Sequence, residues 1–232
     1  MQNTALIIAA AGQGRRMGRQ VNKQFIELRG KAILAHTLER FRDYKLIGQV
    51  VLLHHEDEAV TMRTLVDGMK LPFEVTYIVG GASRQESVYN GLKALKSNIE
   101  VVMIHDGARP FVTKVMHVSC QSFVKRLLKE ESLAGGFFGV PLKDTIKQAT
   151  TRGFITIDRG TLHIVQTPQV FKKNLLIAAH EEALKASFVG TDDCSLVERS
   201  GGHIEVLAGD YCNIKVTTPE DLLVAEALLT LF

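Results

Sequence analysis

A glycine-rich and strongly basic segment follows the first apolar run of the sequence. It reads AAAGQGRRMGRQVNKQF over residues 9–25 and contains four cationic side chains and no acidic one. Glycines leave backbone amides accessible to phosphate oxygens, and cations neutralise the charge of those oxygens. The pattern is typical of a triphosphate clamp, with a solvated basic loop as the alternative. The glycines are Gly12, Gly14 and Gly18, and the cations are Arg15, Arg16, Arg19 and Lys23.

The glycine spacing argues against two other phosphate-binding motifs. The dinucleotide fingerprint requires GxGxxG, whereas the third glycine here comes one residue late. The P-loop requires Gly-Lys-Ser/Thr, whereas Gly14 is followed by two arginines and no hydroxyl residue. The remaining interpretation is a flexible anion-binding loop at the carboxyl edge of the first predicted strand.

A second candidate site lies in the segment VVMIHDGARPF, at residues 101–111. Asp106 stands at the predicted carboxyl end of a buried parallel strand, which is where ligands bind in α/β sheets. Its oxygens suit Mg²⁺ held between the protein and phosphate groups. An aspartate that only forms a turn with Gly107 is the alternative. His105 has no neighbour that indicates a catalytic partner, and we interpret it as a packed side chain.

The composition excludes several classes of protein. Hydrophobic residues make up 46% of the 232 residues and charged residues 23%, which predicts a soluble globular protein without a membrane span. A net charge of +3 is too small to indicate nucleic-acid binding. The three cysteines lie far apart without a CxxC pair, so neither a disulfide framework nor a zinc site is indicated. This use of cysteine predicts a reducing cytoplasm, and the N-terminus lacks the basic n-region of a signal peptide.

Short β-branched runs alternate with amphipathic stretches along most of the chain. This alternation predicts a three-layer, Rossmann-like α/β fold with a mostly parallel sheet. The predicted strands lie near residues 5–10, 49–54, 74–79, 100–105 and 136–140. The predicted helices lie near residues 33–41, 58–68, 83–96, 114–129, 172–185 and 219–231.

Local signals predict two helix starts and one hairpin. Ser83 with Glu86 three residues later predicts a capping box, and Pro219 after Thr218 predicts the first position of a helix. The segment DTIKQATTRGFITID alternates with the period of a strand around a polar turn, which predicts a hairpin arm over about residues 143–162. Because no repeat or linker interrupts the chain, we expect residues 1–232 to form a single domain.

Eight segments occur in the order in which a known enzyme family has them. Together they resemble the 2-C-methyl-D-erythritol 4-phosphate cytidylyltransferases, which use CTP in the non-mevalonate isoprenoid pathway, and the resemblance runs nearly end to end. It implies a nucleotidyltransferase fold and transfer of CMP from CTP to 2-C-methyl-D-erythritol 4-phosphate, with release of pyrophosphate. The segments are AAAGQGRRMG, NKQF, GGASRQESVYNGL, HDGARPF, PLKDT, VQTPQVF, TDDCSLVE and NIKVTTPEDL.

Two other functions stay open at this point. The ribitol 5-phosphate cytidylyltransferases share the loop, the lysine and a TPQ segment, but typically resemble AGG at the loop and HDAVR at the metal strand. The segments AAG at residues 10–12, HDGAR at 105–109 and PLKDT at 141–145 are nearer to the methylerythritol pattern. The other alternative is a non-catalytic nucleotide-binding module. It is disfavoured because a pure binder does not need cations around the α-phosphate.

The chemistry implied by the resemblance depends on charge. The phosphate of the substrate attacks the α-phosphorus of CTP, and the protein mainly positions anions and stabilises negative charge in the transition state. No general base is needed, because a phosphate monoester dianion is already a nucleophile. The resemblance implies that Asp106 holds Mg²⁺ or another divalent cation. The catalytic residues that it implies are Arg16, Lys23 and Lys215.

Recognition of cytosine requires donors to the ring carbonyl and acceptors for the amino group. Gly80 and Gly81 let the backbone approach a base closely, and Ser87 presents a hydroxyl from the following helix. A hydroxyl bonded only to its own helix is the alternative for Ser87. The full set that the resemblance assigns to CTP is Ala10, Ala11, Gly12, Gly14, Arg16, Lys23, Gly80, Gly81, Ser87, Asp106, Ala108 and Lys215.

The resemblance also implies a site for the sugar phosphate and a homodimer. Thr145 and Arg159 lie on the predicted arm, which crosses to a second subunit in this family, so that the two subunits share their sites. Asp192 and Asp193 are interpreted as residues that cap and charge a helix start. Asp210 is left out of the metal site. The residues assigned to the sugar phosphate are Arg109, Thr145, Arg159 and Thr167.

Overall fold

The structure is a computed structural model that describes residues 2–12 and 22–232. Part of the basic loop lies outside these residues, including the predicted site residues Gly14 and Arg16. Within the two described ranges, no helix combines the length and the apolar character that a membrane crossing requires.

Strands and helices alternate along most of the described chain. The strands are β1 Thr4–Ala9, β2 Glu27–Leu28, β3 Lys31–Ala32, β4 Ile47–His54, β5 Val75–Val79, β6 Val101–Asp106, β7 Leu133–Pro141, β8 Ile146–Thr150, β9 Gly153–Ile157, β10 His163–Lys172 and β11 His203–Ala208. The helices are α1 Ile33–Arg40, α2 Ala59–Gly68, α3 Arg84–Lys93, α4 Lys114–Leu127, α5 Lys173–Lys185, α6 Asp193–Arg199 and α7 Pro219–Leu228.

The central sheet has seven strands in the order β11-β7-β10-β6-β1-β4-β5. Strand β10 pairs antiparallel with both β6 and β7, while all other neighbours in this sheet are parallel. Strand β6 is buried along its whole length, as expected of a parallel strand covered on both faces. The prediction of a mostly parallel sheet is confirmed.

Helices cover both faces of the sheet. Leu6 and Ile8 of β1 pack on one face with side chains of α1, α2 and α4. Ala5 and Ile7, which alternate with them, pack on the opposite face with side chains of α3, α5 and α6. This alternation follows from the two-residue period of a strand and produces the predicted three layers.

The local predictions have mixed outcomes. Pro219 lies in the first turn of α7, as predicted, and Thr218 and Asp221 form a capping box there that was not predicted. The hairpin is present as the antiparallel pair of β8 and β9. Only one of the two hydrogen bonds of the capping box predicted at Ser83 is present. Ser83 accepts a bond from the amide of Glu86, but the Glu86 carboxylate accepts from the amide of Ala82, at 2.8 Å, rather than from that of Ser83.

Four strands were not predicted from the sequence, namely β2, β3, β10 and β11. Strand β10 carries the buried polar residues Gln166, Thr167 and Gln169. Because of them, its sequence lacks the apolar run that is typical of a core strand. Three of the predicted helices also extend too far at their carboxyl ends. Their last turns stop at Lys93, Leu127 and Leu228, two or three residues before the predicted ends.

Candidate active site

A cavity of about 510 Å³ opens at one edge of the central sheet. Its walls come from segments that follow β1, β4, β5, β6 and β11, because the carboxyl ends of parallel strands meet at the same edge. The volume suits a small-molecule ligand. The lining residues are Ala9, Ala11, Gly12, Lys23, Gln24, His55, Gly81, Ala82, Ser83, Arg84, Ser87, Asp106, Ala108 and Lys215.

Most of the described residues that were assigned to CTP line this cavity. Ala10 and Gly80 lie beside it instead, and their backbone groups are engaged within the protein. The carbonyl of Ala10 accepts a bond from the Gln24 side chain at 2.8 Å, and the amide of Gly80 donates to the carbonyl of His54 at 2.8 Å. The lining residues from the predicted set are Ala11, Gly12, Lys23, Gly81, Ser87, Asp106, Ala108 and Lys215.

Gly80 allows a close approach between two walls of the cavity. A Cβ atom at this position would lie 2.5 Å from the Cβ of Ala11 and 2.8 Å from the hydroxyl oxygen of Ser87. Any larger residue would therefore push apart the segments that follow β1 and β5.

The hydroxyl of Ser87 is partly committed to the protein. It donates to the carbonyl of Ser83 at 2.8 Å, and it accepts a bond from the amide of Gly81 at 2.9 Å. A hydroxyl has one proton and two lone pairs, so one lone pair remains available. In this arrangement Ser87 is able to accept a bond from the amino group of a base.

Asp106 forms the centre of a charged cluster on the cavity wall. Its Oδ2 atom lies 3.0 Å from Lys215 Nζ and 3.0 Å from Arg109 Nε. Arg109 also donates to the carbonyl of Asn213 at 2.8 Å, which joins the segment after β6 to the segment that carries Lys215. Burial raises the pKa of the Asp106 carboxyl, but Lys215, Arg109 and Arg84 lower it by more. Asp106 is therefore ionised at neutral pH.

Thr167 and His105 form a chain of hydrogen bonds with the backbone of Asp106. The amide of Asp106 donates to the Thr167 hydroxyl oxygen at 3.1 Å, and this hydroxyl lies 2.9 Å from Nδ1 of His105. Nε2 of His105 lies 3.1 Å from the carbonyl of Arg109. Because a carbonyl only accepts, Nε2 carries the proton and Nδ1 accepts from Thr167. Burial lowers the pKa of His105 to about 3, so the ring is neutral, in agreement with its interpretation as a packed side chain.

The four residues assigned to the sugar phosphate fall into two groups. Arg109 and Thr167 bond to Asp106, directly behind the cavity wall. Thr145 and Arg159 are exposed at the base of the β8–β9 hairpin and do not line the cavity. A single copy of the chain therefore does not bring the four together.

Arg84 is a cavity residue that the sequence did not indicate. Its Nη1 atom lies 2.7 Å from Oδ2 of Asp193, whose side chain is 1% exposed. Asp192 caps α6 by accepting from the amide of Ser195 at 2.9 Å, as interpreted. Asp193 lies in the first turn of α6, as interpreted, and its carboxylate is in addition buried between Arg84 and His180. No local pattern in the sequence pairs two residues so far apart. Gln24 and His55 also line the cavity without having been predicted.

The donor set suits a metal ion only in combination with phosphate groups. Across residues 2–12 and 22–232, no three His, Cys, Asp or Glu side chains lie close enough together to hold a metal ion. Mg²⁺ often uses one or two carboxylates together with substrate phosphates and water. The single carboxylate of Asp106 therefore fits a divalent cation that arrives with a triphosphate, and does not fit an all-protein metal centre.

The charge of the cavity favours an anionic ligand. Among the described residues that line it, Lys23, Arg84 and Lys215 are cationic, and Asp106 supplies the one carboxylate. A cleft lined by one sign of charge concentrates ligands of the opposite sign. The arrangement is able to bind a polyphosphate and to stabilise negative charge that develops during its reaction.

Comparisons with known proteins match nearly the whole chain to one enzyme family. Residues 4–231 match the family model described as 2-C-methyl-D-erythritol 4-phosphate cytidylyltransferase. Two proteins of that name, from Geobacillus thermodenitrificans and Bacillus mycoides, are 46% and 44% identical to the chain. These alignments cover 98% and 97% of the chain and 97% and 96% of the relatives. The crystal structure of 4-diphosphocytidyl-2C-methyl-D-erythritol synthase from Anaerococcus prevotii is 30% identical, with a TM-score of 0.84 and 98% of each chain covered.

Proposed function

The chain belongs to the 2-C-methyl-D-erythritol 4-phosphate cytidylyltransferase family, and we propose from this premise that it transfers CMP from CTP to 2-C-methyl-D-erythritol 4-phosphate. The products are 4-diphosphocytidyl-2-C-methyl-D-erythritol and pyrophosphate, and the reaction serves isoprenoid precursor biosynthesis. The observation that carries the proposal is the cationic cavity around Asp106 at the carboxyl edge of the sheet. The enzyme acts as one domain over residues 1–232, in the cytoplasm.

The reaction proceeds by in-line attack of the substrate phosphate on the α-phosphorus of CTP. Lys23 and Lys215 stabilise the negative charge that builds up on the phosphate oxygens as pyrophosphate leaves. Lys215 is suited to this role because its ammonium group is held 3.0 Å from Asp106 at the cavity wall. Arg16, which lies outside the described residues, completes the set of catalytic cations.

Binding of CTP uses both ends of the cavity. The cytosine contacts Gly81 and the lone pair of Ser87, while the triphosphate extends toward Lys23, Gly12 and the basic loop. Asp106 would hold Mg²⁺ or another divalent cation together with the phosphates. When bound there, such a cation would supply positive charge that neutralises the phosphates of CTP and the leaving pyrophosphate.

The sugar phosphate is bound by residues from two copies of the chain. Arg109 and Thr167 come from the subunit that binds CTP, whereas Thr145 and Arg159 come from the arm of the other subunit. Phe154 and Ile155 of the arm support this homodimer, because they are 73% and 49% exposed in the single chain. A two-stranded hairpin gains stability by packing against a further surface, and a second copy offers one.

The assay that tests this function measures pyrophosphate with CTP, Mg²⁺ and one of two sugar phosphates. We expect rapid release with 2-C-methyl-D-erythritol 4-phosphate, much slower release with ribitol 5-phosphate, and none when EDTA removes the divalent cation. Equal or faster release with ribitol 5-phosphate would reject the assigned substrate and leave the reaction class standing.

A further inference from the structure

The carboxylate of Glu58 bonds to both side chains that flank Lys23 in the sequence. Nε2 of Gln24 lies 3.1 Å from Oε1 and 2.9 Å from Oε2 of Glu58. Nδ2 of Asn22 donates to Oε1 of the same carboxylate. Glu58 is 7% exposed, so these bonds form in a largely water-free environment. Lys23 lies between the two amide residues, at the start of a 3₁₀ turn that ends at Phe25.

Glu58 also connects this turn to the sheet. It ends the 3₁₀ turn that follows β4 and precedes α2, and its carboxylate accepts a bond from the amide of His55. Gln24 donates in addition to the carbonyl of Ala10, whose own amide donates to Leu53 of β4. The side chain of Glu58 therefore holds the Lys23 turn against the carboxyl ends of β1 and β4.

We propose that Glu58 is a positioning residue for Lys23, and this proposal rests on the proposed catalytic role of Lys23. A lysine side chain is long and flexible, so the location of its ammonium group depends on how firmly the backbone beneath it is held. Glu58 fixes that backbone through both neighbours of Lys23. A displacement of about 1 Å in a catalytic group is able to cost about 100-fold in rate.

A carboxylate suits this position because it only accepts hydrogen bonds. Its two oxygens face amide N–H groups of Asn22 and Gln24 and the backbone amide of His55, all of which donate. Bonds to a charged acceptor are roughly twice as strong as neutral ones. A glutamine at position 58 would turn one acceptor into a donor and oppose one of these donors.

The test compares four proteins: the wild type, Glu58→Gln, Lys23→Ala and the double variant. We expect Glu58→Gln to lower kcat about 10- to 100-fold in the wild-type background. In the Lys23→Ala background we expect the same change to lower kcat by no more than about twofold, because there is no ammonium group left to misplace. The KM for the sugar phosphate should remain nearly constant in Glu58→Gln.

Two further variants complete the test. Glu56→Gln changes an exposed carboxylate on the same 3₁₀ turn and should leave kcat unchanged. If Glu58→Gln does not fold, Glu58→Asp replaces it in the test, because it keeps the charge but shortens the side chain. Its loss of kcat should likewise be large in the wild-type background and nearly absent in the Lys23→Ala background.

Three results would overturn the proposal. An equal loss of kcat in both backgrounds would show that Glu58 only stabilises the fold, and wild-type kcat in Glu58→Gln would show that it does not position Lys23. Wild-type kcat in Lys23→Ala alone would reject the role of Lys23 itself, and this outcome is recognisable without any Glu58 variant.

Discussion

Replacing Lys23 with alanine is expected to lower kcat about 100- to 1,000-fold, which is the usual effect of losing one preorganised group that stabilises charge. Lys23 lines the cavity and is half-buried, outside the hydrophobic core, so the variant should fold normally. Lys45→Ala, which removes an exposed lysine from a turn, is the matched control and should retain full activity. Steady-state release of pyrophosphate measures both variants.

A folded Lys23→Ala enzyme with nearly wild-type kcat would contradict the role assigned to this lysine. Circular dichroism and thermal unfolding of the variant separate this result from a loss of structure. A rise in the KM for CTP at unchanged kcat would also contradict it, because it would indicate uniform binding of the triphosphate instead of stabilisation of the transition state.

Mixing two inactive variants is expected to restore activity, because the arm of one subunit completes the site of the other. In a dimer of one Lys23→Ala chain and one Arg159→Ala chain, one site carries both defects and the other carries neither. With random pairing about half of the dimers are mixed, and each has one intact site, so activity should recover to about a quarter of the wild-type value. Each variant alone should remain nearly inactive.

The control for this experiment is a measurement of subunit exchange, for example with differently tagged chains. Arg152→Ala provides a matched arm variant, since Arg152 is an exposed cation in the turn of the same hairpin and has no assigned contact with substrate. Verified exchange without recovery above either parent would show that Arg159 does not serve the neighbouring subunit.

The sequence predicted the centre of the sheet better than the edge that contains β10 and β11. Strands β1, β4 and β6 are nearly continuous apolar runs, and such runs between amphipathic helices indicate a buried parallel sheet. Strand β10 has buried Gln166, Thr167 and Gln169, whose partners come from distant segments. The hydrogen bonds of these buried polar side chains are satisfied only by tertiary contacts. For this reason no local hydrophobic periodicity predicts β10.

The same distinction applies to the candidate site. Residues in local motifs, such as Asp106 in HDGARPF and Ser87 in GGASRQES, were found because the motif itself suggests an anion or base site. Arg84 and Glu58 were missed because their importance depends on partners that lie far away in the chain. A buried carboxylate that holds two amide side chains has no signature in one sequence.

The structure also limits what some predicted residues are able to do. Thr167 donates its hydroxyl proton to His105 and accepts a bond from the amide of Asp106, so only one lone pair remains for a ligand. Arg109 uses its Nε donor on Asp106, an Nη1 donor on the carbonyl of Asn213 and an Nη2 donor on the carbonyl of Val165. Their predicted contact with the sugar phosphate therefore relies on the donors of Arg109 that remain.

The most direct measurement of the central claim follows the α-phosphorus of CTP. The protein is incubated with Mg²⁺, 2-C-methyl-D-erythritol 4-phosphate and CTP that carries ³²P at the α position, and the products are separated. Attack at the α-phosphorus predicts that all transferred label appears in 4-diphosphocytidyl-2-C-methyl-D-erythritol and that the released pyrophosphate is unlabelled. Label that remains in the nucleotide while the sugar phosphate gains unlabelled phosphate, or an absence of any transfer, would contradict cytidylyl transfer by this protein.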